Sequence, residues 1–93
     1  MPKYYRYKVA NHFLYFTASC IVEAMHVHAS DSNLSESRSA KFFVKANGDS
    51  VVQRRGDLTD IEISTITTFI KENYIDMYET WQEFGGKDFY HGN

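Results

Sequence analysis

The chain has few of the residues that interrupt strands or cross-link a fold. Its 93 residues include one proline and one cysteine, Cys20. A single cysteine excludes an internal disulfide and favours a reducing, cytoplasmic location. No run approaches the roughly 20 apolar residues of a membrane span, so no membrane association is expected. The sequence therefore predicts one soluble domain that is held together by its core.

Charge is nearly balanced overall but unevenly distributed. The net charge of -2 is too small to select a partner. Residues 1–56, however, carry eight Lys or Arg and four Asp or Glu, whereas residues 57–93 carry two and eight. Such a chain is electrically polar from one half to the other, so its two halves favour partners of opposite charge.

Aromatic residues are plentiful, with seven Tyr and seven Phe, and they concentrate in short alternating segments. Alternation of apolar and polar residues is typical of strands with one buried face. Asn47 and Gly48 are the residues that a tight hairpin turn prefers. Five strands are predicted, near residues 4–9, 12–19, 25–29, 38–45 and 50–55.

After Leu58 the apolar spacing becomes helical. Thr59 and Glu62 form the pattern of a capping box, and Ile66 lies on the expected apolar stripe. A second cap signal at Asp76 predicts a second helix that ends at Gly85. The predicted fold is α+β, an antiparallel sheet of about five strands with two C-terminal helices, 59–73 and 76–84, on one face. The domain would span residues 1–84, with a loosely ordered tail at 85–93.

Two histidines stand out in the segment EAMHVHAS. Strand alternation places His26 and His28 on one face, roughly 6.5–7 Å apart. Paired imidazoles suit proton transfer or metal binding, but they are also common on a polar, solvent-facing strand surface. A zinc site would need a third ligand, for which Glu23 is nearest and His12 and His91 are unplaced. No metal or other cofactor is therefore predicted, and strand parity points Cys20 into the core, away from the imidazoles.

Five cations crowd two adjacent predicted strands: Arg38, Lys41, Lys45, Arg54 and Arg55. Cations interleaved with aromatic residues on a sheet are typical of single-stranded nucleic-acid binding. A solvated sheet face has the same composition, so the pattern leaves both interpretations open.

The order of these features resembles the small bacterial family called domain of unknown function 4160. The matching positions are Glu23, His26 and His28, then the strand Ala40–Val44, then Trp81. Ala24 and Met25 replace prolines that usually precede the histidines. The resemblance covers about residues 3 to 84 and implies a component of a toxin–antitoxin-like gene pair, with a small partner protein encoded beside it.

Two functions from different classes follow. In the enzymatic hypothesis RNA is the substrate, His26 and His28 are general acid and base, Lys41 and Arg38 neutralise a phosphate, and Glu23 completes the motif. Arg38, Lys45, Arg54 and Arg55 would bind the nucleic acid. In the alternative the protein is a non-catalytic binding module whose histidines are structural or solvated. The oligomeric state stays open in both.

Overall fold

A computed structural model describes residues 3–31 and 39–92, and these residues form a four-stranded antiparallel sheet and one long α-helix. The α+β class is confirmed, but the finer prediction of five strands and two helices is not matched. The elements are β1 (Phe13–Tyr15), a 3₁₀ turn (Ala18–Val22), β2 (His26–Ser30), β3 (Ala40–Val44), β4 (Ser50–Arg54) and α1 (Asp60–Glu83).

The sheet is a meander in which each strand pairs with the next along the chain, in the order β1-β2-β3-β4. In this register His28 lies between Tyr15 on β1 and Lys41 on β3. The predicted hairpin between β3 and β4 is confirmed, because Gly48 adopts a φ of 89° and its amide donates to the carbonyl of Lys45. Tyr15, His28 and Lys41 therefore form one row across three strands.

The predicted first strand, residues 4–9, is wrong. The region contains isolated bridges at Lys3 and Val9 in place of a strand, and Ala10 follows with a positive φ of 50°. Side chains rather than a backbone ladder hold the segment in place. The hydroxyl of Tyr4 donates to the carbonyl of His26, and that of Tyr5 donates to Asp76 on α1.

The helix begins as predicted. Thr59 Oγ1 accepts from the amide of Glu62, and Glu62 Oε1 accepts from the amide of Thr59, which completes the capping box. The predicted break before Asp76 is wrong. The carboxylate of Asp76 accepts from Tyr5 instead of capping a helix, and neither Pro nor Gly interrupts residues 60–83.

The core joins the sheet to a single stripe of α1. Ile66, which the apolar stripe predicts to be buried, is fully enclosed, and so is Trp81. The apolar stripe keeps its helical spacing through the expected break at Asp76. One continuous helix therefore buries all of the stripe's residues on the same face. The buried helix residues are Ile66, Ile70, Met77 and Trp81, and they share a cluster with Leu14, Val27, Ala29, Phe42 and Val44 of the sheet.

The C-terminal segment after α1, for which loose order is expected, runs against the sheet in its described part, residues 85–92. The carbonyl of Asp88 accepts from the amide of Met25, and the amide of Tyr90 donates to the carbonyl of Val44. The indole of Trp81 donates to the carbonyl of Lys87 at 2.6 Å. This segment therefore extends the cover over the region that contains His26.

Within the described ranges, none of the helices combines the length and the apolar character that crossing a bilayer requires.

Candidate functional site

His26 and His28 lie on the same side of β2, as strand alternation predicts. Their ring centroids are 5.1 Å apart and the rings are nearly perpendicular. Both side chains are nevertheless interior, with His26 0% and His28 3% exposed. Of the alternatives left open for this pair, the solvent-facing one is therefore wrong.

The histidines are buried because this second face of the sheet is also covered. His26 packs against Phe43 and Trp81, with ring centroids 5.7 and 5.4 Å away. Tyr90 of the C-terminal segment stacks on Phe43 at 4.2 Å, and Tyr15 packs on His28. Aromatic rings thus replace the water that the polar face of an antiparallel sheet usually contacts.

Cys20 lies beside the imidazoles rather than away from them. Its sulfur is 3.4 Å from Nε2 of His28, and it accepts from the amide of Thr17 at 3.3 Å. The prediction that Cys20 is a core residue is confirmed, since it is buried in the hydrophobic cluster. Its predicted placement away from the imidazoles is wrong because residues 18–22 form a 3₁₀ turn, and the two-residue alternation of a strand does not continue through such a turn.

Hydrogen bonds fix the orientation of both rings. Nδ1 of His26 is 2.9 Å from the carbonyl of Ala24, and since a carbonyl can only accept, Nδ1 carries the proton. Nδ1 of His28 is 2.9 Å from Oγ of Ser39, so its other nitrogen faces Cys20. Each ring is therefore held through Nδ1.

Lys41 and Glu23 form the polar border of this cluster. The buried Nζ of Lys41 lies 3.0 and 3.2 Å from the two carboxylate oxygens of Glu23, whose side chain is about half exposed. Hydrogen bonding to Lys41 lowers the pKa of Glu23 below its ordinary value. All four residues of the predicted catalytic set thus lie together.

Among the residues predicted to bind nucleic acid, Arg54 and Arg55 have partners within the molecule. Arg38 lies outside the described residues. Nε of Arg54 donates to the carbonyl of Ser39, and Arg55 binds the carbonyl of Leu58 and the carboxylate of Asp60. These intramolecular partners already hold both described arginines.

The sequence does not predict three of the residues that lie around the imidazoles of His26 and His28, which are Cys20, Ser39 and Thr17. A cysteine six residues before the H-x-H pair is a usable signal, since soft thiolate and imidazole ligands often occur together. Ser39 carries no such signal, because only the pairing of β2 with β3 brings it to His28.

Comparison of the chain with models of known families, with curated proteins and with solved structures finds no match.

Proposed function

We propose that the protein is a non-catalytic binding module, one component of a bacterial toxin–antitoxin-like pair, and that it docks its partner protein along β4. The observation that carries this proposal is the position of β4. It is one of the two edge strands of the described sheet, and unlike the other edge strand, β1, it has no buried residue.

An edge strand offers its backbone to another chain. Unpaired N–H and C=O groups along such an edge pair readily with an added strand, and neighbouring side chains supply specificity. On β4, Gln53 is exposed and Val52 is 41% exposed, so an apolar contact is available beside the edge. A partner segment in extended conformation fits both features.

Burial of the imidazoles also favours a binding role. A general acid or base must come within hydrogen-bond reach of the substrate proton, directly or through one water molecule. His26 and His28 have almost no surface through which an RNA phosphodiester could reach them. Both rings are packed between the sheet and its cover, which includes the 3₁₀ turn, and this position suits a structural role.

Binding to the product of the neighbouring gene tests this function. Wild-type protein should co-purify with that product, and Val52→Lys should weaken the complex by about tenfold or more, because a charge would be placed at the apolar contact. Ile61→Lys is the matched control, since Ile61 is an exposed isoleucine on α1. Equal binding by both variants would contradict docking at β4, and no complex with wild type would contradict the proposed pairing.

RNA hydrolysis is the second candidate, and the grouping of His26, His28, Lys41 and Glu23 favours it. This reaction would require the 3₁₀ turn to move away from the imidazoles. Cleavage of single-stranded RNA by wild type, lost in Lys41→Gln and retained in Lys71→Gln at an exposed lysine of α1, would support hydrolysis. An inactive wild-type protein, both alone and with its partner, would exclude it.

A further inference from the structure

We propose that Cys20, His26 and His28 form a zinc-binding site that ties the 3₁₀ turn Ala18–Val22 to β2. Each of the three offers one ligand atom, and these atoms all lie within 4.8 Å of one another. All three side chains are buried. This inference is independent of the proposed partner binding at β4.

The separation of the cysteine sulfur from the nearer imidazole fits a tetrahedral metal centre. With Zn–S near 2.3 Å and Zn–N near 2.0–2.1 Å, a tetrahedral angle separates sulfur from nitrogen by about 3.6 Å. Sγ of Cys20 and Nε2 of His28 are 3.4 Å apart. A zinc ion between these two atoms would therefore require only a small shift of either, and the ligand atom of His26 lies within 4.8 Å of both.

The hydrogen bonds of the two rings match those of metal ligands. A histidine that binds a metal through one nitrogen usually donates the other N–H to a carbonyl or another acceptor, which fixes its tautomer. His26 donates from Nδ1 to the carbonyl of Ala24, so Nε2 carries the lone pair. Nδ1 of His28 bonds to Ser39, while its Nε2 faces the sulfur.

The ligand types select the class of metal. One thiolate and two imidazoles suit zinc, whereas magnesium and calcium prefer oxygen ligands. Thr17 Oγ1 lies 3.2 Å from the sulfur, and this hydroxyl or a water molecule would complete four-coordination. The site would hold the 3₁₀ turn over the sheet, so zinc binding should stabilise the fold.

Cobalt substitution reports directly on such a site. Protein that has been stripped with a chelator should bind one equivalent of Co²⁺ and show thiolate-to-cobalt charge-transfer absorption together with intense tetrahedral d–d bands. Cys20→Ser should lose the charge-transfer absorption. His12→Gln should retain it, because His12 lies outside the cluster.

Thermal unfolding supplies a second readout. One equivalent of zinc should raise the Tm of wild type and of His12→Gln by several degrees and leave Cys20→Ser unchanged. A folded wild type without charge-transfer absorption or a zinc-dependent Tm would overturn the proposal, as would equal zinc effects in wild type and Cys20→Ser.

X-ray absorption of the zinc-loaded wild type covers the case in which Cys20→Ser does not fold. One sulfur at about 2.3 Å and nitrogen or oxygen at about 2.0–2.1 Å are expected. A zinc shell without sulfur would show binding elsewhere and would overturn the proposal.

Discussion

The sulfur of Cys20 lies 3.4 Å from Nε2 of His28, although one residue belongs to a 3₁₀ turn and the other to a central strand. Ser39, the residue before β3, contacts the opposite ring nitrogen of His28. Polar groups from three segments thus meet inside the domain. Because an unsatisfied buried polar group is costly, such a network favours one arrangement of these segments over others.

Removal of an interior imidazole should destabilise the protein. His26→Ala should lower the free energy of unfolding by about 2–5 kcal/mol, because the ring packs against Trp81, Phe43 and His28 and leaves a cavity. Urea denaturation measures the change. His91→Ala, at an exposed histidine, should stay within about 0.5 kcal/mol of wild type. Similar losses for the two variants would contradict the interior position of His26.

The buried stripe of α1 gives a second stability prediction. Ile66→Ala should lower the free energy of unfolding by about 2–5 kcal/mol, since Ile66 is fully enclosed. Ile61 lies on the same helix and is 80% exposed, so Ile61→Ala should have little effect. A loss below about 1 kcal/mol for Ile66→Ala would mean that another face of the helix contacts the core.

The β3–β4 turn should depend on glycine for two reasons. Gly48 has a φ of 89°, and a Cβ there would lie 2.6 Å from Cδ1 of Tyr74. Gly85 has a similar φ of 81°, but a Cβ there would meet no atom within 4 Å. Gly85→Ala should therefore cost about 1–2 kcal/mol for backbone conformation alone, and Gly48→Ala should cost more. Equal losses of Tm would contradict the close packing of Tyr74 on the turn.

The contact between Glu23 and Lys41 predicts a pH dependence. The pKa of Glu23 is lowered in the folded protein, so the contact stabilises the fold above the ordinary value of 4.5, and this stabilisation is lost as pH falls through the folded-state pKa. Glu23→Gln should therefore be less stable than wild type at neutral pH, and the gap should narrow in acid.

Chemical denaturation across this range of pH measures the gap. In a Lys41→Met background, the effect of Glu23→Gln on the free energy of unfolding should depend much less on pH, because the ammonium partner is absent. A gap that stays constant into acid would show that Glu23 does not interact with Lys41.

Local signals predicted the parts of the fold that neighbouring residues determine. The capping box at Thr59 and the turn at Gly48 depend on a few adjacent residues, and both were predicted correctly. The continuity of α1 was missed because Asp76 has the chemistry of an N-cap, and only the distant Tyr5 accounts for its hydrogen bond. A tertiary contact overrode a local preference there.

The sequence predicts that His26 and His28 share one face of the sheet, but it does not predict that this face is buried. Strand alternation placed His26 and His28 on one face, yet it could not show that Tyr90 and the 3₁₀ turn cover that face. The burial of Cys20 follows from the sequence, but its contact with His28 does not, because the change from strand to 3₁₀ turn has no strong signature in ASCIV. Burial depends on long-range packing, so periodicity alone leaves it undetermined.

The central claim is that the H-x-H motif lies inside the domain, in contact with Cys20, and does not face solvent. Diethylpyrocarbonate labelling of the folded protein, followed by peptide mass spectrometry, tests it directly because the reagent modifies accessible imidazoles. His91 should react rapidly, while His26 and His28 should stay protected until urea unfolds the chain. Reaction of His26 and His28 at the rate of His91 in folded protein would contradict the account.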